Sequence, residues 1–132
     1  MGPAVKLARV LIVEDDPDIQ KVVRMSLKMR GVAQIEMVET GPDCLARLAT
    51  FTPDVILLDV MMPHVDGFET CRRLKENPAT SAIPVVFLTA RAQKADRDRG
   101  LQLGALGYVI KPFDPMTLHD QIVALLRGKS AD

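Results

Sequence analysis

The stretch Asp54-Val55-Ile56-Leu57-Leu58-Asp59-Val60-Met61-Met62-Pro63 decides the fold. Val55 to Leu58 are aliphatic without a break, so neither face of an extended chain is left for water. That is the pattern of a strand covered on both sides, as in a parallel sheet layered with helices. The strand delivers Asp59 at its C-terminal end. Met61-Met62-Pro63 and then His64-Val65-Asp66-Gly67 turn the chain away. Ligands of open parallel sheets bind beyond the carboxyl ends of the strands. Asp59 is therefore the first candidate for chemistry.

Further strands read the same way on either side. Upstream, residues 9–13 form an aliphatic run that ends in Glu14-Asp15-Asp16-Pro17. Residues 33–38 form a second strand with partial alternation. Downstream, residues 83–88 end at Thr89-Ala90, and the short run 108–110 ends at Lys111-Pro112-Phe113. Between the strands lie helical patterns. Residues 17–29 carry an apolar stripe of Ile19, Val22, Val23 and Leu27, and Gly31 stops them. Gly41-Pro42 punctuates the chain before a helix at 43–49, with Leu45 and Leu48 inward and Thr52-Pro53 as its stop. A third helix begins at Asp66-Gly67 and buries Phe68, Cys71 and Leu74. Asp66 is expected to act as a turn or cap residue.

The segment 94–103 is charge-rich and thinly striped. Gly100 inside it costs ~1 kcal/mol relative to alanine, so this is expected to be the least stable helix. The last helix spans 115–127 with Leu118, Ile122, Leu125 and Leu126 inward, and residues 128–132 are expected to fray. Strands alternating with helices predict an α/β fold: a five-stranded parallel sheet, doubly wound, with right-handed crossovers. The length of 132 residues fits a single domain over 1–132 with a core at about 9–127.

Composition narrows the function. Seventeen basic and seventeen acidic residues cancel, which argues against direct nucleic acid binding or an anionic membrane as the main partner. No apolar run approaches the ~20 residues needed to span a bilayer. Residues 1–6 lack the apolar core of a signal peptide, so the expected location is cytoplasmic. Cys44 and Cys71 match no metal or redox spacing and read as small core residues in a reducing compartment. One tyrosine, four phenylalanines and no tryptophan leave a mainly aliphatic core.

The strand ends, taken together, make a site. The first strand offers Glu14, Asp15 and Asp16, the third Asp59, the fourth Thr89 and the fifth Lys111. They converge if the strand order is 2-1-3-4-5, the flavodoxin-like arrangement. Asp16-Pro17 is explained as a helix cap, but Glu14 and Asp15 are not. Crowded carboxylates destabilise one another unless a cation joins them, and a hard divalent ion takes oxygen ligands. A carboxylate can also attack phosphorus to give an aspartyl-phosphate, with a metal and a lysine neutralising the phosphoryl oxygens.

These motifs resemble one family. Glu14-Asp15, Asp59 with Met62-Pro63 and Asp66-Gly67, Thr89-Ala90, and Lys111-Pro112-Phe113 are similar, over about residues 9–127, to the receiver domain of two-component response regulators. The resemblance implies that Asp59 accepts a phosphoryl group from a histidine kinase or histidine phosphotransfer protein. It implies Mg2+, with Mn2+ able to substitute, held by Asp15, Asp59 and the Met61 backbone carbonyl, and by Glu14 through water. Lys111 pairs with Asp59 or the phosphoryl group, Thr89 bonds the phosphoryl group, and Tyr108 is the switch. The Lys111-Pro112 bond is implied to be cis.

The resemblance further implies autocatalysed phosphorylation and slow autodephosphorylation rather than turnover of an outside substrate. The face made by the fourth helix, fifth strand and fifth helix would bind a downstream protein, with room for a homodimer. Three alternatives stand beside this reading. One is the same module excised from a larger regulator or hybrid kinase. Another is an aspartyl-phosphate phosphatase, for which Met61 stands where a general acid is required. The third is a nucleotide-binding domain, for which no Gly-rich loop follows the first strand. The chain departs from the commonest pattern at Gly104-Ala105-Leu106-Gly107, which lacks acidic residues before Tyr108. His64 and His119 receive no role.

Overall fold

Each aliphatic run becomes a strand. In the computed structural model, residues 6–60, 66–90 and 93–130 are described, without the side chains of residues 129 and 130. They form β1 (Arg9–Val13), α1 (Pro17–Met29), β2 (Gln34–Val38), α2 (Gly41–Arg47) and β3 (Val55–Asp59), then α3 (Gly67–Glu76), β4 (Val85–Thr89), α4 (Lys94–Gln102), β5 (Gly107–Ile110) and α5 (Leu118–Ser130). The strands pair in parallel in the order β2-β1-β3-β4-β5. This is the expected flavodoxin-like order, with β3 central and β2 and β5 at the edges.

Alternation along the strands feeds two apolar layers. Val10, Ile12, Val55 and Leu57 pack with Val23 and Leu27 of α1 and with Leu118, Ile122 and Leu126 of α5. Leu11, Val13, Ile56 and Leu58 face the other way, toward Cys44 of α2 and Phe68, Cys71 and Leu74 of α3. Every residue of β3 and β4 is buried, as expected for strands covered on both faces. Cys44 and Cys71 are free and buried, as the core reading expects. Burial pushes their thiols up to about 12 and about 11, so neither is a thiolate at neutral pH. Among the described residues, no helix is long and apolar enough to cross a membrane.

The helix ends show where local chemistry acts. Asp16 caps α1, accepting from the Asp18 amide at 2.8 Å and the Ile19 amide at 3.5 Å. Asp66 caps α3 through the Glu69 amide at 2.8 Å. Both are cap residues, as expected. Gly31 follows α1 with φ +87°, a left-handed turn open to glycine.

Some boundaries depart from expectation. Gly41 and Pro42 are the first turn of α2, not a break before it, because Thr40 is the cap and proline suits the opening turn. The fourth strand starts at Val85, not at residue 83, because Pro84 has no amide to give the ladder. The last helix starts at Leu118, three residues later than expected. Asp114 instead organises a turn, its carboxylate taking the Met116 amide and its carbonyl the Thr117 and Leu118 amides. That helix then runs to Ser130, so residues 128–130 are helical where fraying was expected.

Asp54, ahead of β3, has a structural task the sequence does not announce. Its Oδ2 accepts from the Ala8 and Arg9 amides, both at 2.9 Å, and ties the start of β1 to β3.

Candidate functional site

Parallel pairing in this order puts the ends of β1 and β3 side by side. Val13 is paired with Leu58, so Glu14 and Asp15 leave β1 level with Asp59. One carboxylate oxygen from each of Glu14, Asp15 and Asp59 lies within 4.8 Å of the others. Glu14 and Asp59 are buried at 1% and 4% exposure, and Asp15 is exposed. The cluster therefore has two dry walls and one side open to solvent. Three carboxylates with solvent access suit a hard divalent cation that keeps several waters. These residues can hold a metal ion.

Lys111 closes the site from β5. Its Nζ lies 2.5 Å from Glu14 Oε1 and 3.5 Å from Asp59 Oδ2. The lysine was expected on Asp59 and is nearer to Glu14. Both carboxylates are buried, so one ammonium serves two desolvated charges at once. Glu14 is engaged on its other oxygen as well, where Oε2 accepts from the Asp16 amide at 3.1 Å. The Lys111-Pro112 peptide is cis, as the resemblance implied.

The remaining expected residues are distributed around this cluster. Thr89 is fully buried at the end of β4, beside Leu88, which is the register partner of Asp59. The Lys111 amide donates to the Thr89 carbonyl at 2.8 Å, which binds the two strand ends together. Tyr108 stands apart from the carboxylates. Its ring stacks on Phe87 with centroids 5.3 Å apart, and its hydroxyl donates to the Asp96 carbonyl of α4. Met61 and its carbonyl lie outside the described residues, as do Met62, Pro63, His64 and Arg91.

Two contributors were not legible in the sequence. Gln20 of α1 donates its side-chain amide to the Glu14 carbonyl and steadies the acidic turn. Gly67 opens α3 directly against Asp59: a Cβ there would lie 2.4 Å from the Asp59 carbonyl oxygen. The Asp66-Gly67 pair signalled a turn, but not this close approach.

Burial pushes the Glu14 carboxyl from its ordinary 4.5 up to about 7. Bonds from Lys111 and the Asp16 amide act against the rise, and the Asp59 charge adds to it. Between these two values folded Glu14 keeps a proton that the unfolded chain has released. Stability therefore falls as pH rises through that window. The full effect is on the order of 3 kcal/mol, reached above the folded value. In metal-free buffer, thermal unfolding between about pH 5 and about pH 8 is expected to show a decline that Glu14→Gln flattens. Equal slopes for the two proteins would remove Glu14 as its source.

Comparison with known proteins gives the same picture. The family description "Response regulator receiver domain" matches residues 10–123. The phosphate regulon transcriptional regulatory protein PhoB of Rhizobium meliloti (strain 1021) is 37% identical over 121 residues, covering 92% of this chain and 53% of that protein. Response regulator PleD of Caulobacter vibrioides is 44% identical over 125 residues, covering 92% of this chain and 27% of that protein. The chain thus spans about half, or less, of the length of these relatives. Among solved structures, chemotaxis response regulator CheY4 of Vibrio cholerae superposes with TM-score 0.83 at 30% identity, covering 91% of this chain and 99% of that one. With its strand order, its acidic cluster and a family match over most of its length, the chain belongs to the response regulator receiver domains.

Proposed function

We propose that this receiver domain takes a phosphoryl group onto Asp59 from a histidine kinase or histidine phosphotransfer protein, in a reaction that needs Mg2+. The observation that carries this reading is the buried Asp59 carboxylate set among two further carboxylates, with the Lys111 ammonium 3.5 Å away. An Asp59 oxygen attacks phosphorus, the new P–O bond forms, and the bond to the donor imidazole nitrogen breaks. That nitrogen leaves with the electron pair, and the ring departs as neutral imidazole because its other nitrogen already carries a proton. Mg2+ held by these carboxylates would supply positive charge to the phosphoryl oxygens.

Asp15 and Asp59 would hold the metal directly, with the Met61 carbonyl. Both Glu14 oxygens are already engaged, by Lys111 and by the Asp16 amide, which favours a reach to the metal through water. Lys111 shifts its charge from Glu14 toward the phosphoryl group as negative charge accumulates at Asp59. Thr89, at the adjacent strand end, donates its hydroxyl to a phosphoryl oxygen. Tyr108 then changes place and alters the face of α4, β5 and α5, where a downstream protein or a second copy binds. The chain works as one domain over 1–132, in the cytoplasm with its donor.

The test is incubation with acetyl phosphate and Mg2+, followed by intact mass measurement. The expected result is a gain of one phosphoryl group that disappears when the metal is chelated. Absence of the adduct, or its formation in excess chelator, would overturn the reading.

A further inference from the structure

We propose that Gly100 is a positioning residue: its missing side chain forms the seat in which the Tyr108 ring meets α4. The observations begin with α4 itself. Five of its nine residues are charged, and Gly100 is the buried one. A helix without an apolar stripe must be located by specific contacts instead. Two such contacts are present. The Tyr108 hydroxyl donates to the Asp96 carbonyl one turn before Gly100. The Arg99 guanidinium lies over the Phe68 ring, 4.4 Å from its centroid. Phe68 meets Phe87 edge-on at 5.2 Å, and Phe87 stacks on Tyr108.

The aromatic tier therefore runs from α3 through β4 to β5, and α4 rests on both ends of it. At Gly100 the fit leaves no room. A Cβ there would lie 2.1 Å from the Tyr108 hydroxyl oxygen, and 2.9 Å from both Tyr108 Cζ and Phe87 Cε2. Gly31 and Gly104 are the described glycines with positive φ, so at Gly100 the requirement is for space and not for conformation.

The seat also answers a question posed by helix propensity. A mid-helix glycine weakens a helix relative to alanine. In a helix with no apolar stripe to hold it, that loss is offset where the vacancy is used. Here the vacancy admits the hydroxyl of Tyr108, a side chain that links β5 to α4. The significance for signalling rests on Tyr108 being the switch, as proposed above. The seat itself does not depend on it.

The experiment uses the full chain without phosphorylation. Tyr108 is the single tyrosine and there is no tryptophan, so tyrosine emission reports this site alone. In Gly100→Ala, acrylamide quenching of that emission is expected to rise toward the value for free N-acetyltyrosinamide, and the melting temperature to fall. In a Tyr108→Leu background the same substitution is expected to lower the melting temperature less, because the hydroxyl and ring it displaces are gone. If Gly100→Ala alone does not fold, recovery of folding in the double variant supports the seat. Unchanged quenching, or a melting temperature that rises equally in both backgrounds as simple propensity requires, overturns it. An acetyl phosphate reaction on the wild type separates the two claims. Failure to form the adduct would sink the phosphoryl reading and leave the quenching result standing.

Discussion

Asp59→Asn is expected to take up no phosphoryl group and, in metal-free buffer, to unfold at a higher temperature than the wild type. The chemical half follows from loss of the attacking oxygen. Removing a covalent nucleophile leaves at most about a thousandth of the rate. The stability half follows from charge. The oxygens of Glu14, Asp15 and Asp59 lie within 4.8 Å of one another. At an effective dielectric of about 20, two unit charges at that distance repel by about 3 kcal/mol. Lys111 offsets part of this through its contacts with Glu14 and Asp59. A net gain of about 1–2 kcal/mol is expected when one of the charges is removed.

Excess Mg2+ should narrow or reverse the difference. A cation held at a hundred times its Kd adds about 2.7 kcal/mol to the protein that binds it, and the asparagine variant binds it less well. The check is thermal unfolding with chelator and with Mg2+, at a pH where Glu14 is ionised. A wild type more stable than Asp59→Asn without metal would contradict the repulsion argument. The site would then be a stabilising feature of the apo fold instead of a strained one.

Gly67→Ala carries the second large effect. The new Cβ would lie 2.4 Å from the Asp59 carbonyl oxygen, 2.9 Å from Val60 Cα and 3.1 Å from the Asp59 carbonyl carbon. All three are backbone atoms in or beside a fully buried strand, so no rotamer relieves the contact. The Gly67 amide also donates to the Val60 carbonyl at 3.0 Å, which holds α3 at this distance. Either α3 moves outward, stripping Phe68, Cys71 and Leu74 from the core, or Asp59 shifts. A loss of at least about 3 kcal/mol is expected from such overpacking. Mg2+ affinity should fall by roughly tenfold or more, as when the support behind a ligand is disturbed. Denaturant unfolding and Mg2+ titration of the same sample measure both. A variant with wild-type stability and affinity would mean that α3 is not held against Asp59.

The parts of this architecture that were legible in the sequence are those carried by short-range pattern. Val55 to Leu58 and its counterparts announce buried strands through continuous apolarity. The residues that follow them, Asp59, Thr89, Lys111 and Glu14-Asp15, announce one shared edge. Asp16 and Asp66 announce caps because a carboxylate ahead of a helix has few other uses. What stayed hidden depends on distance in space. Glu14 and Lys111 are 97 residues apart, and no short-range pattern says that the lysine will lie nearer to Glu14 than to Asp59. Gly67 and Gly100 look like a turn residue and a weak point in a helix. Their work is defined by backbone and rings that arrive from elsewhere in the chain. The Gly41-Pro42 pair misled because proline marks both the end of one element and the first turn of another.

The strand order has one more consequence, in the pattern of backbone opening. The residues of the acidic edge leave β1 and β3, which lie inside the sheet with a paired strand on each side. Their amides should exchange with solvent near the rate set by global unfolding. Helix α4, seated on two aromatic contacts, should exchange far sooner through local opening. The chain thus separates a permanent anvil from a hinged plate, and the plate can lift many times without the anvil coming apart.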